Sequence, residues 1–513
     1  MADFFHPDRL QKLEDLKASG ADPYPAQAAF PTADGQEAGP VREMAADILA
    51  KAEERIGETV TIFGRVQGRR GYGKLAFLDV HDQTGRIQAC LQKDLVAADD
   101  FALLKAMNLG DFVAIQGELK PTKVGEPTVF GTRFRILTKA LENPPEKFHG
   151  LADTELRARR RYVDLFSNEE VRERFLKRSA VIQAMRQVFL DHRYSEVDTP
   201  VLHPIYGGAN ARPFDTHHNA LDMQLFLRIA PELYLKRLLV GGMERVFEIA
   251  RVFRNEGISM RHNPEFTMIE FYEAYTDVEG MMELTEKVVV AAAEAAGCRG
   301  EDGKLKATFR EEEFLLEPPF QRLRYADGFQ EHVGCDPTDR EAVKAKMAEH
   351  EVSPADDSEY GWWKAVNALF EDLVEPKLRG PVFVYDYPAA ICPLAKPLAE
   401  DPTWAGRFEF FLGGIELANA FSELNDPQLQ LQKFEEQVAD IDPEAPNQVD
   451  LDYVRALAYG LPPAGGCGIG VDRLLMVLLG VDSIREVLLF PHMRPESDGA
   501  AEDGQPIEAE TAQ

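Results

Sequence analysis

The sequence predicts an α+β protein with an all-β segment early in the chain and a larger mixed segment after it. Three observations predict this. Residues 58–140 alternate apolar and polar positions over five short runs, with one helical run among them. Residues 167–192 carry apolar side chains at helical spacing over a length that strands do not reach. Residues 251–275, RVFRNEGISMRHNPEFTMIEFYEAY, alternate with period two on both sides of a charged loop. A chain of 513 residues, 45% of them hydrophobic, has room for two or three such units.

Composition excludes some classes. Fifty-seven basic against 87 acidic side chains leave a net charge of −30. That balance argues against wholesale coating of nucleic acid, though it allows a local basic patch. Cys90, Cys298, Cys335, Cys392 and Cys467 lie far apart with no CxxC pair. They read as free thiols of a reducing compartment rather than a disulfide frame or a zinc site. The start MADFFHPDRLQKLEDL has no apolar signal core, and no run approaches the about 18 apolar residues of a membrane helix. A soluble, untargeted, cytoplasmic chain is expected.

Taken in order, residues 1–56 read as a helical extension and linker. Leu10, Leu13 and Leu16 mark a helix over 8–19, an Ala/Pro/Gly-rich linker runs to about 39, and a second helix covers 41–54. Residues 57–145 place three strands, a helix (98–107) and two strands in succession, the order of an OB-fold. Its sheet face carries Arg65, Arg69, Lys74, Phe77 and Gln88, cations and an aromatic of the kind single-stranded nucleic acid uses for phosphate neutralisation and base stacking. The alternative is a structural barrel with Phe77 in its core. Arg157, Arg159, Arg160 and Arg161 form a basic run, either a solvated face or a contact for a polyanion.

The second unit spans 155–495. The helix of 167–192 leads into a strand ended by Pro200. Gly207 and Gly208 permit close approach to a ligand. His217 and His218 are adjacent, point apart and read as structural. In the hairpin of 251–275, Val252, Arg254 and Glu256 share one strand face, and Phe266, Met268, Glu270 and Tyr272 fall on the same face. Arg261, His262 and Asn263 occupy the loop. Charges of both signs among aromatics describe a pocket for a ligand with phosphate and an amine. Residues from about 277 to 370 read as a helical insertion without chemistry. Further on, Asn419, Phe421 and Glu423 share a strand face, with Glu409 and Glu416 upstream. Acids inside an apolar strand are costly unless a cation matches them, and a carboxylate pair suits Mg2+ bound together with phosphates. Gly466, Gly468 and Gly470 make a strand that something approaches closely. Arg473 follows in the first turn of an apolar helix, where its fork can clamp phosphate. Residues 496–513 read as a disordered acidic tail.

The blocks FRNEG, RHNPEFTMIEFY and GIGVDR resemble motifs two and three of the class II aminoacyl-tRNA synthetases, and FLDHRYSEVDTP resembles their dimer-forming motif one. APELYLKRLLVGGMERVFEIARVFRNEGIS, GIELANAFSELNDP and LPPAGGCGIGVDR are similar to the lysyl branch. The resemblance implies an α+β fold, an N-terminal OB-fold β-barrel for the anticodon followed by a class II catalytic domain whose antiparallel sheet is flanked by helices. It implies ATP-dependent ligation of L-lysine to tRNA(Lys) by a homodimer. Arg254, Glu256 and Arg473 would be catalytic. ATP would lie against Phe266, with Arg254 and Arg473 on its phosphates and Glu256, His262 and Asn263 as further contacts. Glu409 and Glu416 would bind Mg2+. Gly208, Glu232, Glu270, Tyr272, Asn419, Phe421 and Glu423 would line the lysine pocket. Arg69, Phe77, Gln88 and Glu126 would read the anticodon.

The residues themselves favour lysine. Its stem suits Phe421 and Tyr272, and three acids exceed what ATP requires. An aspartyl or asparaginyl enzyme would need a cation there, and no extra Arg or Lys is expected on those strand faces. Protein-modifying lysine ligases resemble the catalytic unit alone. A degenerate, purely nucleic-acid-binding relative would lose Arg254, Glu256 or Arg473, and all three are present. Ala420 stands where the branch usually has Gly, and Cys392 where Ser is usual.

Overall fold

The computed structural model describes residues 4–28, 30, 41–71, 73–145, 151–439, 446 and 448–495. The expected tail of 496–513 and residues 29 and 31–39 of the N-terminal linker fall outside them. The chain forms two compact units, residues 1–157 with 162–168, and residues 158–161 with 169–513.

In the first unit, strands β1 (Thr59–Arg70), β2 (Leu75–His81), β3 (Arg86–Gln92), β4 (Phe112–Pro121) and β5 (Pro127–Thr138) close a barrel in the order β1-β2-β3-β5-β4. A helix, Ala98–Leu103, lies between the third and fourth strands, shorter than expected. The second N-terminal helix is only Ala45–Ala50. Val60, Ile62, Leu78, Ala89, Val113, Ile115 and Phe134 fill the barrel core. Phe77 is outside that core and half-buried. Arg65 is no part of a binding face. Its guanidinium lies 4.3 Å from the Phe112 ring centre and 4.2 Å from that of Phe166, and it donates to the Gly110 carbonyl at 3.0 Å.

The basic run 157–161 is likewise spent on structure at two of its positions. Arg157 pairs with Asp164 at 2.9 Å. Arg161 is 3% exposed and donates to the carbonyls of Leu489 and Arg485. Neither forms a free patch for a polyanion.

The second unit is organised on an eight-stranded sheet. Its strands are β6 (Ser195–Glu196), β7 (Arg245–Phe253), β8 (Glu265–Ala274), β9 (Gln321–Arg324), β10 (Val382–Pro388), β11 (Trp404–Leu412), β12 (Ile415–Ser422) and β13 (Ala464–Gly470), in the order β9-β10-β11-β12-β13-β8-β7-β6. All neighbours are antiparallel except the two outermost pairs. Strict alternation divides β8 between two faces. Ile269 and Phe271 point into a core shared with helices α1 (Glu169–Asp191) and α3 (Val278–Ala296). There Phe189 packs 4.8 Å from both Phe247 and Phe271. Truncating any of these rings is a large-to-small core change of about 3–5 kcal/mol. The opposite face of β8 is left for chemistry.

Two expectations are corrected here. Strand β7 stops at Phe253, so Arg254 and Glu256 stand beyond it, although the Arg254 amide still reaches the Pro264 carbonyl at 2.8 Å. The segment expected as a helical insertion contains α3, which belongs to the main core, and β9, which joins the sheet. It also holds a hairpin, Lys306–Phe309 with Glu312–Leu315. No helix among the described residues is long and apolar enough to cross a membrane.

Candidate functional site

A cavity of about 390 Å3 opens on the face of β8, β12 and β13 opposite the helical core. That is the size of an ordinary small-molecule site. Its floor is the glycine strand. Gly466, Gly468 and Gly470 pair with Tyr272, Glu270 and Met268 on one side, and the first two pair with Phe421 and Asn419 on the other. A Cβ at Gly466 would stand 2.2 Å from both Tyr272 Cε1 and Glu423 Oε1. What approaches Gly466 and Gly468 is therefore the β8 side chains Met268, Glu270 and Tyr272, with Glu423 from just past β12.

The predicted residues gather here with two exceptions. Gly208, Glu232, Arg254, Glu256, His262, Asn263, Phe266, Glu270, Tyr272, Glu416, Asn419, Phe421 and Arg473 line the cavity. Glu409 and Glu423 do not line it; both are buried behind the wall. Glu409 accepts from Tyr387 at 2.8 Å and pairs with Arg407. Glu423 pairs with Lys236.

At one end the loop after β7 folds back. The His262 amide donates to Ser259 Oγ at 3.1 Å, and that oxygen lies 2.8 Å from His262 Nδ1. Arg473, from helix α4 (Val471–Leu478), donates through Nη2 to His262 Nε2 at 3.0 Å. Its Nη1 donates to Glu416 Oε2 at 3.3 Å. With Nε2 accepting, the ring proton sits on Nδ1. Partial burial, then Arg473 and Arg261, hold the His262 pKa below its usual value, which favours this neutral form. Arg254 stands 5.2 Å from the Phe266 ring centre, and its Nε is buried with no hydrogen-bond partner among the described residues. Asn263 is held by its own contacts, donating to the Glu265 carbonyl at 2.6 Å and accepting from the His492 amide at 3.3 Å. Asp472 fixes helix α4 by accepting from the Thr267 amide at 2.7 Å and pairing with Arg178 at 2.5 Å.

The other end is acidic. Tyr272 donates to Glu270 Oε2 at 3.0 Å. Burial, then Glu232, pushes the Glu270 carboxyl well above the usual range. Gly208 has φ +86°, and a Cβ there would meet Glu232 Cβ at 3.1 Å, so only glycine fits this crossing. Asn419 Oδ1 is buried without a hydrogen-bond partner among the described residues. Unsatisfied buried polar atoms are rare in folded proteins and concentrate where a ligand completes them.

Two groups escaped the sequence reading, and one loop residue was left without a role. Arg407 lines the cavity on β11, opposite Phe421. The expectation of no extra cation on these faces is thus wrong, but its charge is met by Glu409, and Cys392 Sγ lies 3.3 Å away. Lys236 is fully buried behind the acidic end. Arg261, named in the loop but given no role, lines the cavity beside His262. His217 and His218 lie on an exposed strand away from the cavity lining, and no group of three metal-ligating side chains exists among the described residues.

On the barrel, Arg69 donates to the Leu104 carbonyl at 3.0 Å. Gln88 is 4% exposed, accepts from Thr128 at 2.9 Å and donates to Glu126 at 3.0 Å. Glu126 also pairs with Arg86. Of the four predicted readers, Phe77 alone has no internal hydrogen-bonding duty.

Comparison with known proteins gives two family matches. Residues 153–494 match the model of class II tRNA synthetases (D, K and N), and residues 60–137 match that of the OB-fold nucleic acid binding domain. The chain is 46% identical over 492 residues to a protein of Carboxydothermus hydrogenoformans named lysine–tRNA ligase, covering 95% of this chain and 97% of that one. It is 47% identical over 504 residues to a protein of the same name from Halalkalibacterium halodurans, covering 96% and 97%. A Bacillus cereus protein of that name is 45% identical over 495 residues, covering 96% and 97%.

Proposed function

The chain belongs to the lysine–tRNA ligases of the class II tRNA synthetases, and from that premise we propose how its own residues divide the work. The enzyme activates L-lysine with ATP and transfers lysine to the 3′ end of tRNA. The observation that carries the division is the two-ended cavity, with arginines and an aromatic at one end and carboxylates at the other.

ATP takes the arginine end. Arg254 and Arg473 hold its phosphates, Phe266 stacks on the adenine, and Glu256, His262 and Asn263 shape the loop around it. Lysine takes the acidic end, with Gly208 leaving room beside Glu232. Glu270 and Tyr272 receive an ammonium group, and Asn419 and Phe421 lie along the stem. Glu423 contributes from behind the wall through its charge. A lysine carboxylate oxygen attacks the α-phosphorus, the bond to the bridging oxygen breaks, and pyrophosphate leaves. No protein nucleophile is required. Positioning and fixed positive charge, from Arg254 and Arg473, lower the barrier.

Glu409 and Glu416 fit a divalent cation. Burial, opposed by Arg407 and aided by Glu416, raises the Glu409 carboxyl to about 7, and the donors of the pair are hard oxygens. Mg2+ bound there would neutralise charge developing on the phosphates. Phe77 stacks on an anticodon base, and Arg69, Gln88 and Glu126 exchange their internal bonds for base edges. The working unit is a homodimer in the cytoplasm, formed through the segment around 189–200.

Pyrophosphate exchange into ATP, run across all amino acids, tests this reading. Lysine-dependent exchange is expected. Exchange driven by another amino acid would remove the pocket assignment.

A further inference from the structure

Lys236 is completely buried, and the mechanism above gives it no task. It stands on helix α2 (Glu232–Val240), one turn after Glu232, so both face the same side. Its Nζ lies 2.5 Å from Glu232 Oε1 and also pairs with Glu423 Oε2. The two carboxylates thus share one ammonium and keep one oxygen each. Glu232 Oε2 would lie 3.7 Å from a Cβ at Gly208, on the cavity wall. Glu423 Oε1 abuts Gly466, 1% exposed and without a hydrogen-bond partner among the described residues. Glu270, the third acid, belongs to Tyr272.

We propose that Lys236 is a positioning and specificity-determining residue that sets the formal charge of the pocket at minus two. With lysine bound, its ammonium groups favour the ionised form of Glu270, and three carboxylates less one internal ammonium leave two negative charges. A lysine substrate brings two ammonium groups, and its carboxylate faces Arg254 at the other end. The inference rests on the reading that this pocket takes lysine. An amino acid with one ammonium leaves a buried negative charge unmatched, which is expensive in a water-excluded site. Without Lys236 the same lysine faces one carboxylate too many, and Glu232 loses the contact that fixes its rotamer. Buried cations of this kind hold their proton: burial works against the Lys236 charge, but Glu232 and Glu423 outweigh it.

A double-mutant cycle on the full-length enzyme tests the charge count. Lysine KM and ATP KM are measured by pyrophosphate exchange for Lys236→Met, Glu423→Gln and the double variant, with thermal melting as the check on folding. Each single variant is expected to raise lysine KM at least tenfold, with ATP KM within twofold of the parent. The double variant restores minus two and is expected to bind lysine better than either single. Losses that multiply, or ATP and lysine KM that rise together, overturn the proposal. If Lys236→Met fails to fold, the double variant against Glu423→Gln decides, since equal or weaker lysine binding by the double overturns it. If the parent enzyme is driven by a different amino acid, the pocket reading falls. If lysine drives it and the losses multiply, only the role of Lys236 falls.

Discussion

The Tyr272 hydroxyl donates to Glu270 Oε2 at 3.0 Å, and both side chains are buried. Burial, then Glu232, raises the Glu270 pKa in the folded protein. A folded acid with a raised pKa keeps its proton above the unfolded value, so its ionisation costs stability as pH climbs past about 4.5. Glu270→Gln is therefore expected to leave thermal stability at pH 8 unchanged or higher. The same change removes the charge partner of a substrate ammonium, at roughly 3–5 kcal/mol. Lysine KM should rise by about two to three and a half orders of magnitude, with ATP KM little changed. An unchanged lysine KM would falsify the place of Glu270 in the pocket.

Gly466→Ala tests the glycine floor. Its Cβ would stand 2.2 Å from Tyr272 and Glu423, which would have to shift. Overpacking of this kind costs about 1–3 kcal/mol. The expected outcome is a higher lysine KM from a displaced Tyr272 ring. Gly470→Ala is the control, since its nearest contacts are 3.7 Å or more away. Equal effects of the two on lysine KM would show that the floor is not read by Tyr272.

His262 accepts from Arg473 only while its ring is neutral. Its folded pKa lies below the ordinary value near 6.5, so the unfolded chain takes up the proton first and stability falls as pH drops below about 6.5. At lower pH the ring protonates in the folded enzyme and repels Arg473. ATP KM is expected to climb on the acid side of that window while lysine KM does not. In His262→Asn that acid rise should disappear. A variant that keeps the parent's pH profile for ATP would assign the rise to another group.

Much of this site was legible because strands encode their faces with period two. Phe266, Met268, Glu270 and Tyr272 share a face in the sequence and line one cavity in the fold. Arg254 and Glu256 extended that alternation past Phe253, where the strand ends and a loop carries them inward instead. Lys236 was not legible. On a helix it looks like one more cation after Glu232, and its second partner, Glu423, is brought close only by the sheet. Arg407 hid in the same way, in an apolar strand whose neighbour Glu409 takes its charge. The strands within 277–370 are four residues each at 306–309, 312–315 and 321–324, too short for alternation to outweigh the helical runs around them.

The barrel offers the last test, because Phe77 and Gln88 lie on it with opposite burdens. Gln88 is 4% exposed and bonded to Thr128 and Glu126, so Gln88→Ala strands buried partners and should cost about 1–3 kcal/mol of stability. Phe77 stands outside the barrel core, so Phe77→Ala should leave the melting temperature within a few degrees. Loss of a stacked base is worth about 1–3 kcal/mol, and KM for tRNA should rise accordingly. Lysine-dependent pyrophosphate exchange needs no tRNA and should be unchanged in Phe77→Ala. Aminoacylation and exchange measured side by side separate the roles. If both steps fall together with the melting temperature, Phe77 serves the barrel and not the anticodon.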